Sequence, residues 1–306
     1  MSAVPGGSLA AARPGPALAW WLALRPWSFS ISLAPVLAGT ALAMLDGHPA
    51  QPILVAAALF ASLFIHAGTN LQNDVGDFLR GADGRGRIGP PRASTEGWLP
   101  AAQVQLASAL CFAFALVPGA YLVASGGPAI LVAGLVSIAA GGSYTAGPYP
   151  IAYSGWGEAF VIAFFGFVAV GGVYYLQAGS IGAAPLFAGG ALGALAAAVL
   201  VVNNLRDIDS DRRVGKNTLA VRRGRRFTVF EYAALMHLPF ALALALAWWE
   251  QRAALLAPLV LLPWAAALAW RVKREPSGAR LNAALASTAK LGLAFAILLS
   301  LGAVLV

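Results

Sequence analysis

Half of the acidic residues in this chain lie in two short segments whose spacing could assemble a metal site. Each segment begins with an asparagine and continues with aspartates at intervals of three or four residues. The aligned residues are Asn70, Asp74 and Asp77 in the first segment and Asn203, Asp207 and Asp211 in the second. Residues at these intervals share one face of an α-helix. The spacing therefore predicts two helix ends that each present a stack of side-chain oxygens.

Stacked carboxylates repel each other unless cations neutralise them, so both segments predict bound metal ions. Oxygen ligands that include amides suit Mg²⁺, which keeps waters and bridges to substrate phosphates, and we predict Mg²⁺ as the cofactor. The predicted metal ligands are Asp74, Asp77, Asp83, Asp207 and Asp211, all of which except Asp83 are also predicted to be catalytic. Asp83 follows Asp77 by six residues, which is not a helical interval, so we expect it on a loop. Asp209 points away from the shared face, so its substitution should have a milder effect, and whether it binds metal stays open from the sequence.

Basic residues that could bind phosphate lie close to both aspartate groups. They are Arg80, Arg87, Arg92, Arg206 and Lys216. Arginine offers a fork of donors that matches phosphate oxygens, and lysine adds a compact positive charge. A substrate with a diphosphate head at the membrane surface and an apolar tail among helices fits this arrangement. The residues therefore predict binding of a polyprenyl diphosphate.

The rest of the chain is strongly apolar. Of its 306 residues 59% are hydrophobic and only 10% are charged, and the mean hydropathy is +0.75. Runs such as 52–71 and 185–205 match the ~20 helical residues needed to cross a hydrocarbon core of ~30 Å. Helices satisfy the backbone of such runs where no water is present. The predicted class is an all-α, polytopic membrane protein embedded in a lipid bilayer.

Turn signals rich in glycine and proline divide the chain into nine predicted transmembrane helices. Their ranges are 22–45, 50–71, 103–124, 128–146, 156–178, 184–206, 227–249, 253–271 and 281–305. Residues 1–21 are predicted to form a flexible tail, and residues 22–306 a single transmembrane domain. The two aspartate segments follow the second and sixth helices, which indicates a weak internal repeat.

The basic residues fall almost entirely on one side of the membrane if nine helices alternate. Only Arg252 lies on the other side, and Lys290 lies within a span. The positive-inside rule then predicts a multi-pass protein of the cell inner membrane with its N-terminus and charged loops in the cytoplasm. The net charge of +8 is explained by these loops, so we predict no nucleic-acid partner.

Several stretches of the sequence resemble the UbiA superfamily of intramembrane aromatic prenyltransferases, whose two aspartate-rich motifs follow the second and sixth of nine helices. These stretches are 25–43, 73–92, 144–158, 164–179 and 203–224. They are most similar to the branch that acts on 1,4-dihydroxy-2-naphthoate. The resemblance implies a UbiA-type bundle with a central cavity that opens to a polar cap on the cytoplasmic side.

The resemblance also implies a reaction. A polyprenyl group is transferred from its diphosphate to 1,4-dihydroxy-2-naphthoate, with loss of CO₂ and diphosphate, to give demethylmenaquinone. Beside the basic residues above, the residues expected to bind substrate are Asn70, Asn73, Tyr144 and Asn203. The hydroxybenzoate branch usually has a lysine shortly after this tyrosine, and its absence here weighs against that acceptor.

Some alternatives remain open from the sequence. Homogentisate or 4-hydroxybenzoate could be the acceptor, and a cation-coupled membrane transporter could also use acidic clusters. His66 could face the substrate pocket or join two helices, and Glu158 could orient the acceptor or favour a helix start. Lys290 could extend to the membrane surface or pair with a carboxylate inside the bundle.

Overall fold

A computed structural model describes residues 13–84, 87–275 and 278–305, and every regular element in those ranges is helical. The α-helices are α1 Pro16–Leu24, α2 Ser30–Leu45, α3 Pro52–Leu79, α4 Ala101–Ser143, α5 Gly157–Val161, α6 Ala169–Ala178, α7 Ala184–Arg213, α8 Leu219–Trp249, α9 Leu262–Arg274 and α10 Gly278–Val304. A π-helix, Ile162–Val168, joins α5 to α6. The predicted all-α membrane class is confirmed.

The number of membrane crossings depends on how two irregular helices are counted. Over the described ranges, seven helical segments are long and apolar enough to cross a membrane, or eight if α1 and α2, bent by 43°, form one span. α4 has 43 residues, and at ~1.5 Å per residue it is about twice as long as one crossing needs. Gly127, at φ 70° and ψ −159°, breaks its helical path just before Pro128. Two of the predicted spans therefore lie within α4, and the total of nine stays a prediction.

Several helices extend beyond their predicted ends, α1, α3 and α7 among them. α1 begins at Pro16, six residues before the predicted start, because a proline at the first helical position is already set to the helical φ. The predicted tail thus overlaps α1, and residues 1–12 lie outside the described ranges. α3 and α7 continue to Leu79 and Arg213, beyond the points where hydropathy falls. Both aspartate groups consequently lie on helical turns, as their spacing predicts.

α7 is the most buried of the membrane-crossing helices, and small residues let its neighbours approach it closely. A Cβ atom added at Gly166 of the π-helix would lie 2.3 Å from the carbonyl oxygen of Gly189 on α7. The same π-helix carries Phe164 and Phe165, which line the central cavity. The glycine contact therefore holds one wall of the cavity against the core helix.

Candidate active site

A cavity of about 750 Å³ lies among α2 to α7. Its walls are mostly apolar, with side chains such as Ile65, Leu122, Phe165 and Leu176. Polar side chains cluster at one end, where both aspartate segments end their helices. The polar residues there are Asn70, Asn73, Asp77, Arg87, Arg92, Asn203, Arg206 and Lys216. The size and polarity suit a ligand with a long apolar part and an anionic head.

The turn after α3 folds the first aspartate segment back on itself. Gly81 adopts a positive φ of 70°, which glycine allows without strain. The backbone N–H groups of Ala82 and Asp83 then donate to the carbonyl oxygen of Asp77, at 2.9 and 3.3 Å. Asp83 therefore lies on a loop, as its spacing predicts, and close to Asp77.

Arg92 connects these two aspartates. Its Nη2 lies 3.2 Å from Asp77 Oδ2, and its Nε lies 3.0 Å from Asp83 Oδ2. Arg87 also pairs with Asp83 and lines the cavity. Burial and, next, the positive charge of Arg92 lower the pKa of Arg87 to about 9. Two adjacent guanidinium groups, buried in Arg92 and half-buried in Arg87, favour an anion in the neighbouring cavity.

Lys216 brings the two aspartate segments together. Gly215, at φ 70°, ends α7, and the Lys216 N–H donates to the carbonyl oxygen of Asp211 at 2.9 Å. The Thr218 hydroxyl accepts from the N–H of Val221 at 3.2 Å and caps α8. The lysine between these two helix ends places Nζ 3.5 Å from Asp77 Oδ2 and 3.9 Å from Asp211 Oδ1.

Arg206 organises the second segment. Its Nε and Nη2 donate to the two carboxylate oxygens of Asp207, at 2.8 and 2.5 Å. It also donates to the side-chain oxygens of Asn203 and Asn282, at 2.8 and 2.7 Å. Asn282 of α10 in turn donates to the carbonyl oxygen of Ile88 at 3.0 Å. Sequence analysis missed Asn282, although an asparagine in an apolar span is an informative signal.

Asp74 has a different environment from Asp77. Its side chain is buried, and its two oxygens accept from the backbone N–H groups of Ala93 and Ser94 at 2.9 and 3.0 Å. These contacts hold the loop that carries Arg92. They favour a structural role for Asp74, and its role as a metal ligand stays a prediction.

We expect Asp74→Ala to destabilise the protein more than Asp74→Asn. Alanine leaves two buried N–H groups without their acceptor, and each hydrogen bond to a charged group contributes about 1.5–3 kcal/mol. Asparagine keeps one acceptor oxygen. Thermal unfolding of the detergent-solubilised variants measures the difference, and an Asp74→Ala variant as stable as the wild type would contradict the structural role.

Arg80 lies away from the cavity, contrary to its predicted place among the phosphate ligands. It donates to the carbonyl oxygens of Thr145 and Gly147, at 3.2 and 2.5 Å, and its guanidinium lies 5.2 Å from the ring centre of Tyr153. The α4–α5 connection thus accepts from two of the guanidinium nitrogens of Arg80, because it folds over the end of α3. We expect Arg80 to hold that connection in place.

Tyr153 was missed by sequence analysis although it lies in the stretch 144–158 that resembles the family. Its hydroxyl donates to Asp77 Oδ1 at 3.0 Å, and its ring centre lies 5.3 Å from Lys216 Nζ. Burial and, next, the negative charge of Asp77 raise the pKa of Tyr153 above its usual range. The phenol therefore remains a neutral donor that orients this carboxylate.

The remaining predicted substrate ligands lie on the cavity wall. Asn70 donates to the carbonyl oxygen of Leu24 at 3.0 Å and to Ser28 Oγ at 3.1 Å, and Asn73 accepts from Thr145 Oγ1 at 3.1 Å. Tyr144 also lines the cavity. The structure therefore brings every predicted substrate ligand except Arg80 to the cavity.

Two residues with open roles are placed by their contacts. The ring nitrogens of His66 hydrogen-bond to the hydroxyls of Ser28 and Ser32, at 3.2 and 2.8 Å, while the residue lines the cavity. It both joins helices and faces the pocket, so the two interpretations hold together. Lys290 is exposed on α10, which favours the outward-facing alternative.

The acidic residues match Mg²⁺ in ligand type but do not form a ready-made cage. No group of three or more His, Cys, Asp or Glu side chains suited to a metal ion occurs within the described ranges. Asp211 Oδ2 is buried and has no hydrogen-bond partner there. A buried carboxylate oxygen without a partner is costly, and a hard cation would satisfy it. The residues therefore fit a metal bound jointly with an anionic ligand.

The fold and site define a polytopic helical membrane protein with an apolar cavity capped by aspartates and basic residues. The chain belongs to the UbiA prenyltransferase family, which matches residues 32–293. The family expected from the motifs is thus confirmed.

The chain is also similar to individual members of the family and to a solved structure. The chain is 35% identical over 258 residues to a 1,4-dihydroxy-2-naphthoate octaprenyltransferase of Haemophilus influenzae, covering 79% of this chain and 82% of that protein. It is 39% identical over 212 residues to the protein of the same name from Escherichia coli, covering 67% and 68%. A UbiA homologue from Archaeoglobus fulgidus, solved with GPP and Mg²⁺, superposes with a TM-score of 0.64 at 17% identity over 92% of this chain and 99% of that one.

Proposed function

We propose that this protein transfers a polyprenyl group from polyprenyl diphosphate to 1,4-dihydroxy-2-naphthoate, with loss of CO₂ and diphosphate, to give demethylmenaquinone. The observation that carries the proposal is the contact of Lys216 with both Asp77 and Asp211 at the polar end of an apolar cavity. That arrangement suits an anionic head and a prenyl tail. The names of the relatives support the naphthoate acceptor.

We assign the metal to Asp77, Asp207 and Asp211, and the phosphate oxygens to Arg87, Arg92 and Lys216. Bound Mg²⁺ would stabilise the charge that develops on the leaving diphosphate. The arginine and lysine side chains that pair with the aspartates in this structure would bind the phosphate oxygens when the substrate enters. The apolar walls would exclude water, so that the allylic cation reacts with the aromatic ring.

We also propose that the site faces the cytoplasm of the cell inner membrane. The basic loops meet at the end of the bundle that carries the site, where Asn282 donates to the carbonyl oxygen of Ile88 and Arg225 donates to that of Glu275. The positive-inside rule places such loops in the cytoplasm. Labelling of cysteines introduced at Arg212 and at Arg252 with a membrane-impermeant thiol reagent tests this orientation.

The purified protein should form product only when Mg²⁺, a polyprenyl diphosphate and the naphthoate are all present. Chelation by EDTA should abolish transfer, and added Mg²⁺ should restore it. Mass spectrometry of products from a panel of naphthoate, homogentisate and 4-hydroxybenzoate, with CO₂ measured in parallel, identifies the acceptor. Product from homogentisate or 4-hydroxybenzoate alone would contradict the proposal and favour a different acceptor. Transport of a solute across the membrane without any product would contradict it and favour a transporter.

A further inference from the structure

We propose that Glu158 is the catalytic base of the cavity, which takes the proton of the acceptor's ring hydroxyl as the ring attacks the prenyl group. The inference rests on the proposed function and deepens it, because it concerns the acceptor rather than the diphosphate. The sequence alone left Glu158 between orienting the acceptor and favouring a helix start.

Glu158 is buried and yet lines the cavity. It is the second residue of α5, and its Oε1 accepts from Asn204 Nδ2 on α7 at 2.8 Å. Asn204 directly follows Asn203 on α7. The side-chain amide of Asn203 accepts from Arg206, and that of Asn204 donates to Glu158. Intramembrane carboxylates are costly and mark functional positions.

The partner of Glu158 separates it from the aspartates of the polar site. Within the described ranges Asp77, Asp83, Asp207 and Asp211 each lie within 4 Å of a cationic side chain, whereas Glu158 has a neutral amide as its side-chain partner. A carboxylate without a cation is poorly suited to an anionic diphosphate. It is well suited to accept a hydrogen bond from a neutral O–H group, such as the ring hydroxyl of the aromatic acceptor.

Tyr144 relates Glu158 to the polar site. A Cβ atom added at Gly157, the residue before Glu158, would lie 3.2 Å from the Tyr144 hydroxyl oxygen. Tyr144 and Glu158 both line the cavity, and Asp77 lies at its polar end. An aromatic acceptor against Tyr144 would lie beside Glu158, in the same cavity whose polar end would take the diphosphate.

One further carboxyl group lies near the cavity but outside it. Oε2 of Glu231 on α8 is buried with no hydrogen-bond partner in the described part of the chain. It does not line the cavity. Glu231 is therefore a suitable control for Glu158, because it is also a glutamate but has no access to the substrate.

The proton transfer balances within the proposed reaction. The prenyl C–O bond breaks and its electron pair leaves with diphosphate. The hydroxyl beside the carboxyl-bearing carbon gives its proton to Glu158, and that carbon forms the new C–C bond. The C–COO⁻ bond then breaks, CO₂ leaves, and its electron pair restores the aromatic ring. The oxygen recovers its proton from Glu158, which ends in its starting state.

We expect Glu158→Gln to lower kcat for the naphthoate by ~10²–10⁴-fold, the usual contribution of general acid–base catalysis. The KM for prenyl diphosphate and the Mg²⁺ requirement should not change. The deficit should shrink between pH 7 and pH 9, because a ring hydroxyl that ionises in solution needs the base less. Glu158→Asp keeps a carboxylate and should retain the pH profile of the wild type at reduced rate. Glu231→Gln and the exposed-loop variant Glu96→Gln should stay within a few-fold of wild type.

A Glu158→Gln deficit that is equal at pH 7 and pH 9, or a kcat near wild type, would overturn the inference and leave the proposed function intact. If Glu158→Gln does not fold, Glu158→Asp decides: a reduced rate with the pH profile of the wild type supports the base, and an undiminished rate or a changed profile opposes it. A wild-type protein that gives no naphthoate product overturns both proposals. Mg²⁺-dependent protection of each variant from thermal unfolding by prenyl diphosphate reports its folded state separately.

Discussion

Asp77→Asn should lower Mg²⁺-dependent prenyl transfer on the order of 10³-fold. The oxygens of Asp77 accept from Tyr153 at 3.0 Å and lie 3.2 Å from Arg92 and 3.5 Å from Lys216. Asparagine keeps the size of the side chain but removes the charge that both cations and the metal need. The measurement is the initial rate of product formation in membranes with equal amounts of each variant.

The matched control is Asp209→Asn, which makes the same chemical change two residues from both Asp207 and Asp211. The Asp209 side chain is 85% exposed, and its ion pair with Arg212 is long, at 3.7 Å. Exposed pairs contribute little, so this variant should retain nearly full activity. Full activity of Asp77→Asn would overturn the site, and equal losses in both variants would indicate a general effect of charge.

Lys216→Met should raise the KM for prenyl diphosphate by roughly 100-fold, the scale of losing one partner of a buried charge pair. Methionine keeps the apolar stem but removes the positive charge shared by Asp77 and Asp211. The two carboxylates then repel each other, and the diphosphate loses a ligand. Initial rates measured against prenyl diphosphate concentration, at saturating Mg²⁺ and naphthoate, test the prediction.

Lys273→Met is the control for this substitution. Lys273 is exposed in the last turn of α9, among the basic residues predicted to face the cytoplasm. It should keep the wild-type KM because a solvated charge far from the cavity binds no substrate. A KM for Lys216→Met that matches the control would remove Lys216 from the diphosphate site.

The helical class and the position of both aspartate segments were predictable because they depend on local properties. Hydropathy over about 20 residues identifies a membrane span, and intervals of three or four residues identify a shared helix face. The ends of the helices were less predictable, since the hydropathy of the sequence falls several residues before the helices end. α3 and α7 therefore continue through Leu79 and Arg213 while carrying charged residues.

A shared helix face did not determine which neighbour each side chain contacts. Asp74 and Asp77 are three residues apart, yet Asp74 accepts from the backbone of the 93–94 turn and Asp77 faces Lys216. The difference arises from the loop after α3, whose backbone N–H groups meet Asp74 while its Arg92 side chain meets Asp77. Arg80 lies outside the cavity for a similar reason, because the α4–α5 connection supplies two carbonyl acceptors nearer to it.

The sequence by itself determined a polytopic helical protein, two helix ends rich in aspartate and a basic side of the membrane, since these follow from composition and short-range spacing. Only the tertiary structure decided that Lys216 joins two segments more than 120 residues apart, that Tyr153 orients Asp77, and that Asn204 holds Glu158 at the cavity. Contacts of this kind depend on how the helices pack and how their loops fold back. Neither is encoded in the periodicity of a single helix.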